Sequence, residues 1–246
     1  PLKHRPVVVG LGPAGLFAAL LLARNGYHPI VLERGPALAD RVAAVQKFEQ
    51  TGALDPNANI QFGEGGAGTF SDGKLTTRVG DPLCAFVTGA FLDHGAPADI
   101  AWRQKPHVGT DLLRDVIRSI RGEIESLGGE VRFNTALTGL QIRNGVLTGI
   151  DTTAGSVACE QLILAVGHSA RDTFAMLHEL GLPLACKPFS VGFRAEHLQT
   201  EIDKSLYHGA PGAAEGRVPA QPACQRRALR LYLLHVPGRH GLRRRQ

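Results

Sequence analysis

Three glycines near the start of the chain, Gly10, Gly12 and Gly15, have the spacing G-x-G-x-x-G, and Glu33 follows the last of them by eighteen positions. This pattern is typical of a strand–turn–helix unit that binds an adenine dinucleotide. The first glycine allows a tight turn, the second leaves room for a pyrophosphate, and the third lets the helix pack closely on the strand. The helix N-terminus attracts the phosphates. Glu33 can accept hydrogen bonds from both ribose hydroxyls and would repel a 2′-phosphate, so the pattern favours FAD or NAD over NADP.

A second glycine-rich segment, FGEGGAGTFSDGKL, occupies residues 62–75. Its glycines expose backbone N–H groups that suit a loop around a flavin ring or a diphosphate, and we expect Gly65 and Gly66 to contact the cofactor. Lys74 is a weak catalytic candidate, since its charge could lie near N1 and C2=O of a reduced flavin. The alternative is a flexible surface loop.

Two further segments contain candidate polar groups. In KPHVGTDLL, residues 105–113, His107 is a weak catalytic candidate, and Thr110 and Asp111 are equally well explained as helix-capping residues. In LILAVGHSARDT, residues 162–173, an apolar strand enters a turn of small residues. There Gly167 would allow a close approach to the cofactor, while His168 and Arg171 are possible polar contacts. His168 is the third weak catalytic candidate, and no general acid or base is assigned.

The strand candidate at 189–196 carries Arg194 and Glu196 on one face. These two side chains could bind a polar substrate, but the favoured interpretation is that they pair with each other.

The hydrophobic pattern predicts the elements that must position these residues. A strand at 6–9, a helix at 13–25 and a strand at 28–32 form a βαβ start, and a helix follows at 38–50. Residues 52–80 have little periodicity, and a loop of that length is usually functional. A helix with Thr110 as N-cap is predicted up to the glycines at 128–129. Strands are predicted at 130–133, 137–142, 146–151 and 162–166, with a hairpin turn at Asn144-Gly145.

Composition excludes several function classes. Residues 217–246 contain eight arginines and no acidic residue, which leaves 19 basic and 22 acidic side chains in residues 1–216, so the net charge of +5 belongs to the tail. We therefore expect no nucleic-acid partner. The four cysteines form no CxxC pair, which argues against a metal site or a dithiol redox motif. The uncharged run at 6–23 contains glycines that break an apolar helix, so we predict neither a signal peptide nor a membrane span.

Taken in order, GLGPAGLFAAL, FGEGGAGTFSDGKL, KPHVGTDLL, AVGHSARDTF and KPFSVGFRAEH resemble a bacterial family of uncharacterised FAD-dependent dehydrogenases, over residues 5–208. The resemblance implies FAD, a redox reaction and a cytoplasmic enzyme. Pro13-Ala14 and Glu33-Arg34 resemble the flavoproteins with two dinucleotide-binding domains. In that resemblance Arg41 would lie near the FAD pyrophosphate; the alternative is a solvated helix arginine.

The expected fold is α/β, with a Rossmann-like FAD-binding domain on a parallel sheet and a partial β-containing substrate region. We expect the FAD-binding domain at 1–180, split in sequence with a loop or insert at 52–108, and the start of the substrate region at 181–208. Residues 209–246 give no predicted element and are expected to be a non-native tail.

The tail prediction rests on the family resemblance, because relatives in that family run considerably longer. Residues 230–246 can be encoded so that a frame shifted by one nucleotide reads VYTFCMCPGGMVCAAA, and the family has CMCPGG in that place. We therefore expect a truncated chain with a frameshifted end, whose retention of FAD is in doubt. The nucleotide sequence tests this hypothesis.

The function predicted from the sequence is an FAD-dependent oxidoreductase of the dehydrogenase type that transfers hydride through flavin N5. Its expected partners are a small-molecule substrate and NAD(P)H as a possible electron donor, with no membrane partner. Two alternatives stay open: a flavoprotein of other chemistry, such as RNA-base modification or monooxygenation, and a non-catalytic nucleotide-binding module.

Overall fold

The computed structural model describes residues 2–71, 73, 75, 80–103, 108–185, 191–198 and 228–235. It divides into two units, Pro1–Leu182 and Pro183–Gln246, each of which is described separately. The candidates Lys74 and His107 lie outside the described residues.

A parallel sheet of four short strands forms the centre of the first unit. The strands are β1 (Val7–Val9), β2 (Ile30–Leu32), β3 (Glu130–Arg132) and β7 (Leu162–Leu164), in the order β3-β2-β1-β7. Every residue of β1 and β2 is buried, as expected for parallel strands covered on both faces. The structure thus confirms the α/β fold with a parallel sheet.

The first unit has five α-helices among the described residues. Their bounds are α1 (Pro13–Arg24), α2 (Leu38–Thr51), α3 (Cys84–Asp93), α4 (Thr110–Ser126) and α5 (Arg171–Glu179). Val8 and Val31 point to one face, where they share a core with the apolar sides of α1 and α4. This burial explains why α4 carries its apolar residues at helical spacing.

An antiparallel sheet covers the opposite face. It consists of β4 (Leu137–Arg143), β5 (Val146–Thr152) and β6 (Gly155–Ala158). Leu137 and Ile150 pack with Val7, Val9 and Leu32 of the parallel sheet in a second core. Side chains alternate between the faces of a strand, so β1 supplies both cores. The predicted Asn144-Gly145 turn joins β4 to β5, and both of its residues have positive φ.

In the second unit, β8 (Val191–Leu198) pairs antiparallel with β9 (Ala228–His235). The strand at β8 agrees with the one predicted at 189–196, and Arg194 and Glu196 lie on it. The strand at β9 falls in the region after Gly209 where the sequence predicted no regular element. The segment LRLYLL at 229–234 accounts for it, because an aromatic residue and leucines beside a single charged residue suit a strand.

The structure adds detail to the sequence-based expectations at two points and corrects one of them. The predicted insert at 52–108 contains a 3₁₀ helix at Gly66–Phe70, the helix α3 and a 3₁₀ helix at Ala98–Ala101. The sequence also missed β6. Thr110 is not the N-cap of α4, because Gly109 has that position. The Thr110 hydroxyl instead donates a hydrogen bond of 2.6 Å to the carbonyl oxygen of Ser71. The Asp111 side chain is fully exposed.

Candidate nucleotide-binding site

A cavity of about 480 Å³ lies at the carboxyl ends of β1, β2 and β7. Ligands of open α/β sheets bind at this edge, and the volume lies in the range of small-molecule sites. Four stretches of chain supply most of the wall: the turn after β1, the end of β2, the glycine-rich segment and the turn after β7. The predicted site residues that line it are Gly10, Gly12, Pro13, Ala14, Glu33, Arg34, Gly66, Gly167 and His168.

Glu33 is held at the end of β2 by backbone groups on both sides. Its Oε2 accepts from the Leu11 N–H at 2.8 Å, and its Oε1 accepts from the Gly35 N–H at 2.9 Å. The residue is 4% exposed and lines the cavity. A carboxylate oxygen has two acceptor sites, so each oxygen keeps one for a ligand. The carboxylate is therefore fixed in place before any ligand arrives.

The three fingerprint glycines have different surroundings. A Cβ built on Gly10 would lie 2.5 Å from the Ala165 carbonyl oxygen, and one built on Gly15 would lie 1.8 Å from the Gly10 carbonyl oxygen. These two glycines therefore allow strand, turn and helix to approach closely. A Cβ on Gly12 would meet no protein atom within 4 Å. Because Gly12 lines the cavity, its missing side chain leaves space for a ligand.

The glycine-rich segment forms one wall of the cavity, to which Gly63, Gly66 and Ala67 contribute. Gly66 has φ of +70° and touches the Pro13 ring, since a Cβ on it would lie 2.7 Å from Pro13 Cδ. Gly65 does not line the cavity. Its N–H donates to the Leu11 carbonyl oxygen at 2.9 Å, which ties the segment to the fingerprint turn. The predicted cofactor contact of Gly65 stays a prediction.

Arg41 is fully buried behind this wall and is absent from the cavity lining. It is thus not the solvated helix arginine of the alternative interpretation, and its predicted contact with a pyrophosphate stays a prediction. Burial lowers the pKa of Arg41 to about 10, so the guanidinium is charged at neutral pH. Its N–H groups donate to the carbonyl oxygens of Asn59, Ile60, Glu64 and Gly66 and to the Thr69 hydroxyl.

Glu64 is a buried acid that the sequence analysis did not single out. Its Oε2 accepts from the Leu38 N–H at 2.6 Å, and its Oε1 accepts from Arg121 Nε at 2.8 Å. The first bond satisfies the N-terminus of α2, where no side chain of the helix itself acts as a cap. The second connects the wall to α4. Its position within FGEGG could have indicated this role from the sequence. A charged residue among glycines needs a partner when it is buried.

The turn after β7 forms another wall of the cavity. Gly167 has φ of +70° and open space where a Cβ would be, and it lines the cavity beside the exposed His168. The Arg171 side chain is not part of the lining. Arg34, at the end of β2, crosses to this region and donates a short hydrogen bond to Oδ2 of Asp172. That hydrogen bond holds the pKa of Asp172 below its usual value.

The described ranges also bear on metal binding and membrane insertion. No group of three or more His, Cys, Asp and Glu side chains there is arranged to hold a metal ion. In the same ranges, no helix combines the length and apolar character needed to cross a bilayer.

The comparison with protein families adds an observation from another part of the chain. Residues 113–227 match DAO, the family of FAD dependent oxidoreductases. The DAO match begins far beyond the fingerprint glycines and Glu33, so two separate stretches of sequence indicate the same cofactor. The family match therefore confirms the prediction of FAD.

Solved structures and a curated relative are also similar. THI4 from Thermovibrio ammonificans is 14% identical with a TM-score of 0.47, over 74% of this chain and 64% of that one. Glycine oxidase from Bacillus cereus is 13% identical with a TM-score of 0.47, over 79% and 61%. A Clostridium beijerinckii protein described as uncharacterized is 51% identical over 206 residues, 84% of this chain. The chain spans 39% of the length of that relative.

Proposed function

We propose that this chain is the FAD-binding part of an oxidoreductase that acts on a small molecule, with NAD(P)H as electron donor, in the cytoplasm. The observation that carries the proposal is the Glu33 carboxylate, which is buried and fixed in the lining of a cavity that Gly12 also lines. When bound, FAD accepts and releases hydride at N5 of its ring. The chain's own part is to bind, orient and surround that group.

The residues present fit the adenosine diphosphate half of FAD. Glu33 retains an acceptor site on each oxygen, which matches the two hydroxyls of a ribose. The N-terminus of α1 has Gly12 as N-cap and no side-chain cap. Its unsatisfied N–H groups favour phosphates. Pro13 at the start of α1 removes no donor that the helix needs, so it shapes the turn at little cost.

An absorbance spectrum of the purified chain tests the proposal directly. At neutral pH we expect the absorbance bands of an oxidised flavin, and we expect these bands to disappear when NADH or NADPH is added. Acid treatment should release FAD. Bleaching by a nicotinamide nucleotide without nucleic acid supports the dehydrogenase over RNA-base modification. A colourless chain that takes up neither FAD nor ADP contradicts the proposal. A bound nucleotide without a flavin supports the non-catalytic binding module.

Gly12→Ala is expected to weaken FAD binding without a loss of stability. The backbone at Gly12 is extended, with φ of −67° and ψ of −178°, and alanine adopts this conformation freely. The new methyl group would enter the cavity, because no protein atom lies within 4 Å of it. We expect FAD affinity to fall by about tenfold or more, a free-energy change of about 1.4 kcal/mol, measured by fluorescence titration.

A control for this variant is Gly89→Ala, in α3, where a Cβ also meets nothing within 4 Å. It lies outside the cavity lining, so FAD affinity should not change. Equal affinities for the Gly12→Ala and Gly89→Ala chains would show that the ligand does not approach Gly12.

Glu33→Gln is expected to impair both stability and nucleotide binding. The amide group keeps one acceptor oxygen and carries no charge, so one of the Leu11 and Gly35 N–H groups loses its acceptor and the other retains only a neutral one. Loss of such a buried bond costs about 1–3 kcal/mol, which a denaturant titration measures. The same change removes an acceptor for a ribose hydroxyl, and we expect about a hundredfold loss of ADP affinity by calorimetry, or about 2.7 kcal/mol.

The matched control for Glu33→Gln is Glu49→Gln, an exposed position on α2. We expect this control to leave both quantities unchanged. If the Glu33→Gln chain bound ADP as tightly as the control, Glu33 would not be a ligand of the ribose.

A further inference from the structure

Arg34 is the cation nearest in sequence to the proposed ribose ligand Glu33, and its side chain has a partner. It lines the cavity, and its guanidinium donates to the carboxylate of Asp172 in the first turn of α5. Asp172 itself does not line the cavity. Asp172 therefore holds the Arg34 side chain against α5 from outside the cavity lining.

An unpaired arginine at this position would have a specific consequence for ligand choice. In dinucleotide-binding folds, an acid at the end of the second strand binds the ribose 2′-hydroxyl, whereas a nearby arginine accommodates a 2′-phosphate. The planar guanidinium matches the geometry of phosphate oxygens. The sequence Glu33-Arg34 thus contains one feature that rejects a 2′-phosphate and one that could accept it.

We propose that Asp172 is a specificity-determining residue, which engages Arg34 and thereby makes the site reject adenosine nucleotides that carry a phosphate on the ribose 2′-oxygen. This inference rests on the proposed function, since it assumes adenosine at Glu33. The chemical class rejected is that of 2′-phosphorylated adenosine nucleotides, of which 2′,5′-ADP is the simplest probe.

The charges at this end of the cavity support the proposal. Glu33 and Asp172 are acidic and Arg34 is basic, so the three groups together carry one negative charge. The lowered pKa of Asp172 keeps its carboxylate ionised at neutral pH. His168 is the other titratable side chain among the described residues of the lining, and it follows β7 rather than β2. A dianionic phosphate beside Glu33 would therefore meet a cation that is already engaged.

The test compares the binding of 5′-ADP and 2′,5′-ADP by calorimetry at constant ionic strength. In the unmodified chain we expect 5′-ADP to bind at least tenfold more tightly. In Asp172→Asn, the local charge rises by one unit and Arg34 loses its anionic partner, so this preference should fall about tenfold. In Arg34→Gln the charge falls by one unit, and the preference should increase. The double variant, Asp172→Asn with Arg34→Gln, should lose the improved relative binding of 2′,5′-ADP that Asp172→Asn alone shows.

Both side chains are partly exposed, at 29% for Arg34 and 60% for Asp172, so neither change leaves a buried group without a partner. Circular dichroism of each variant checks the fold, and the Arg34→Gln arm gives a reading that does not depend on the Asp172 variant. If the unmodified chain binds no 5′-ADP, the proposed function itself fails. If it binds 5′-ADP but the preference is equal in all four chains, or Asp172→Asn weakens both ligands equally, Asp172 has a structural role and the inference is overturned.

Discussion

Gly15→Ala is expected to lower the free energy of unfolding by about 3 kcal/mol or more, at the upper end for overpacking, because a backbone carbonyl lies where the new methyl group must go. The Cβ would lie 1.8 Å from the Gly10 oxygen and 2.9 Å from its carbonyl carbon. Neither atom can rotate away, since both belong to the turn that leads from β1 into α1. The turn or the helix must move, and the core that α1 shares with Val8 opens. Denaturant titration followed by circular dichroism measures the loss.

A second glycine gives this variant a matched control. Gly122 lies in the interior of α4, is exposed, and has no protein atom within 4 Å of a built Cβ. Alanine there should stabilise the chain by about 0.5–1 kcal/mol, the usual difference between the two residues in a helix. Opposite signs for Gly15→Ala and Gly122→Ala are the expected result. A stable Gly15→Ala chain would contradict the close approach of α1 to the turn.

The βαβ start was predictable because its determinants are local. Gly10, Gly12 and Gly15 act within one turn of chain, and the apolar runs on either side have the periods of a strand and a helix. The amphipathic pattern of α4 is also a local property. Its apolar positions between Leu113 and Ile124 are buried in the structure, as their spacing predicted. Elements with strong periodicity are therefore the ones that the sequence specifies by itself.

The missed elements lack that signal. Helix α3 has the sequence CAFVTGAFLD, in which Thr88 and Asp93 are the two polar side chains that could mark a face, too few to reveal a helical period. Strand β6 spans the four residues Gly155–Ala158, too few for an alternation to be recognised. Thr110 has the residue type of an N-cap, but its hydroxyl bonds to Ser71, a contact 39 positions away in sequence. Such contacts depend on tertiary structure and leave no local pattern.

The role of Arg41 was unpredictable for the same reason. Its position eight residues after Glu33 agrees equally with a ligand contact and with a solvent-exposed helix face. In the structure it is not on a solvent-exposed face, because residues 59–69 fold over it and direct their carbonyl oxygens at the guanidinium. A glycine-rich segment has free carbonyl groups wherever the chain turns, and these need donors when they are buried. Arg41 supplies donors for several of them at once.

Arg41→Met is therefore expected to destabilise the chain by about 3–5 kcal/mol, the range found when one side of a buried charged network is removed. Methionine retains the apolar stem of the side chain but lacks the guanidinium, whose Cζ lies 4.7 Å from the centroid of the Phe70 ring in the wild type. It supplies no donor for the carbonyl oxygens of Asn59 and Glu64. Because the same segment holds Gly63 and Gly66 on the cavity wall, FAD affinity should fall together with stability in calorimetric and denaturant titrations.

Two further substitutions separate the geometry of Arg41 from its charge. Arg41→Lys keeps the positive charge but replaces the planar fork by one ammonium group, which cannot reach carbonyl oxygens spread over residues 59–66. We expect it to recover less than half of the lost stability. Arg118→Met, on the exposed side of α4 with a side chain 56% exposed, is the control and should change stability by less than about 0.5 kcal/mol. If Arg41→Lys recovered all of the lost stability, the positive charge alone would be enough to stabilise residues 59–69. The several hydrogen bonds of the guanidinium would then not be required.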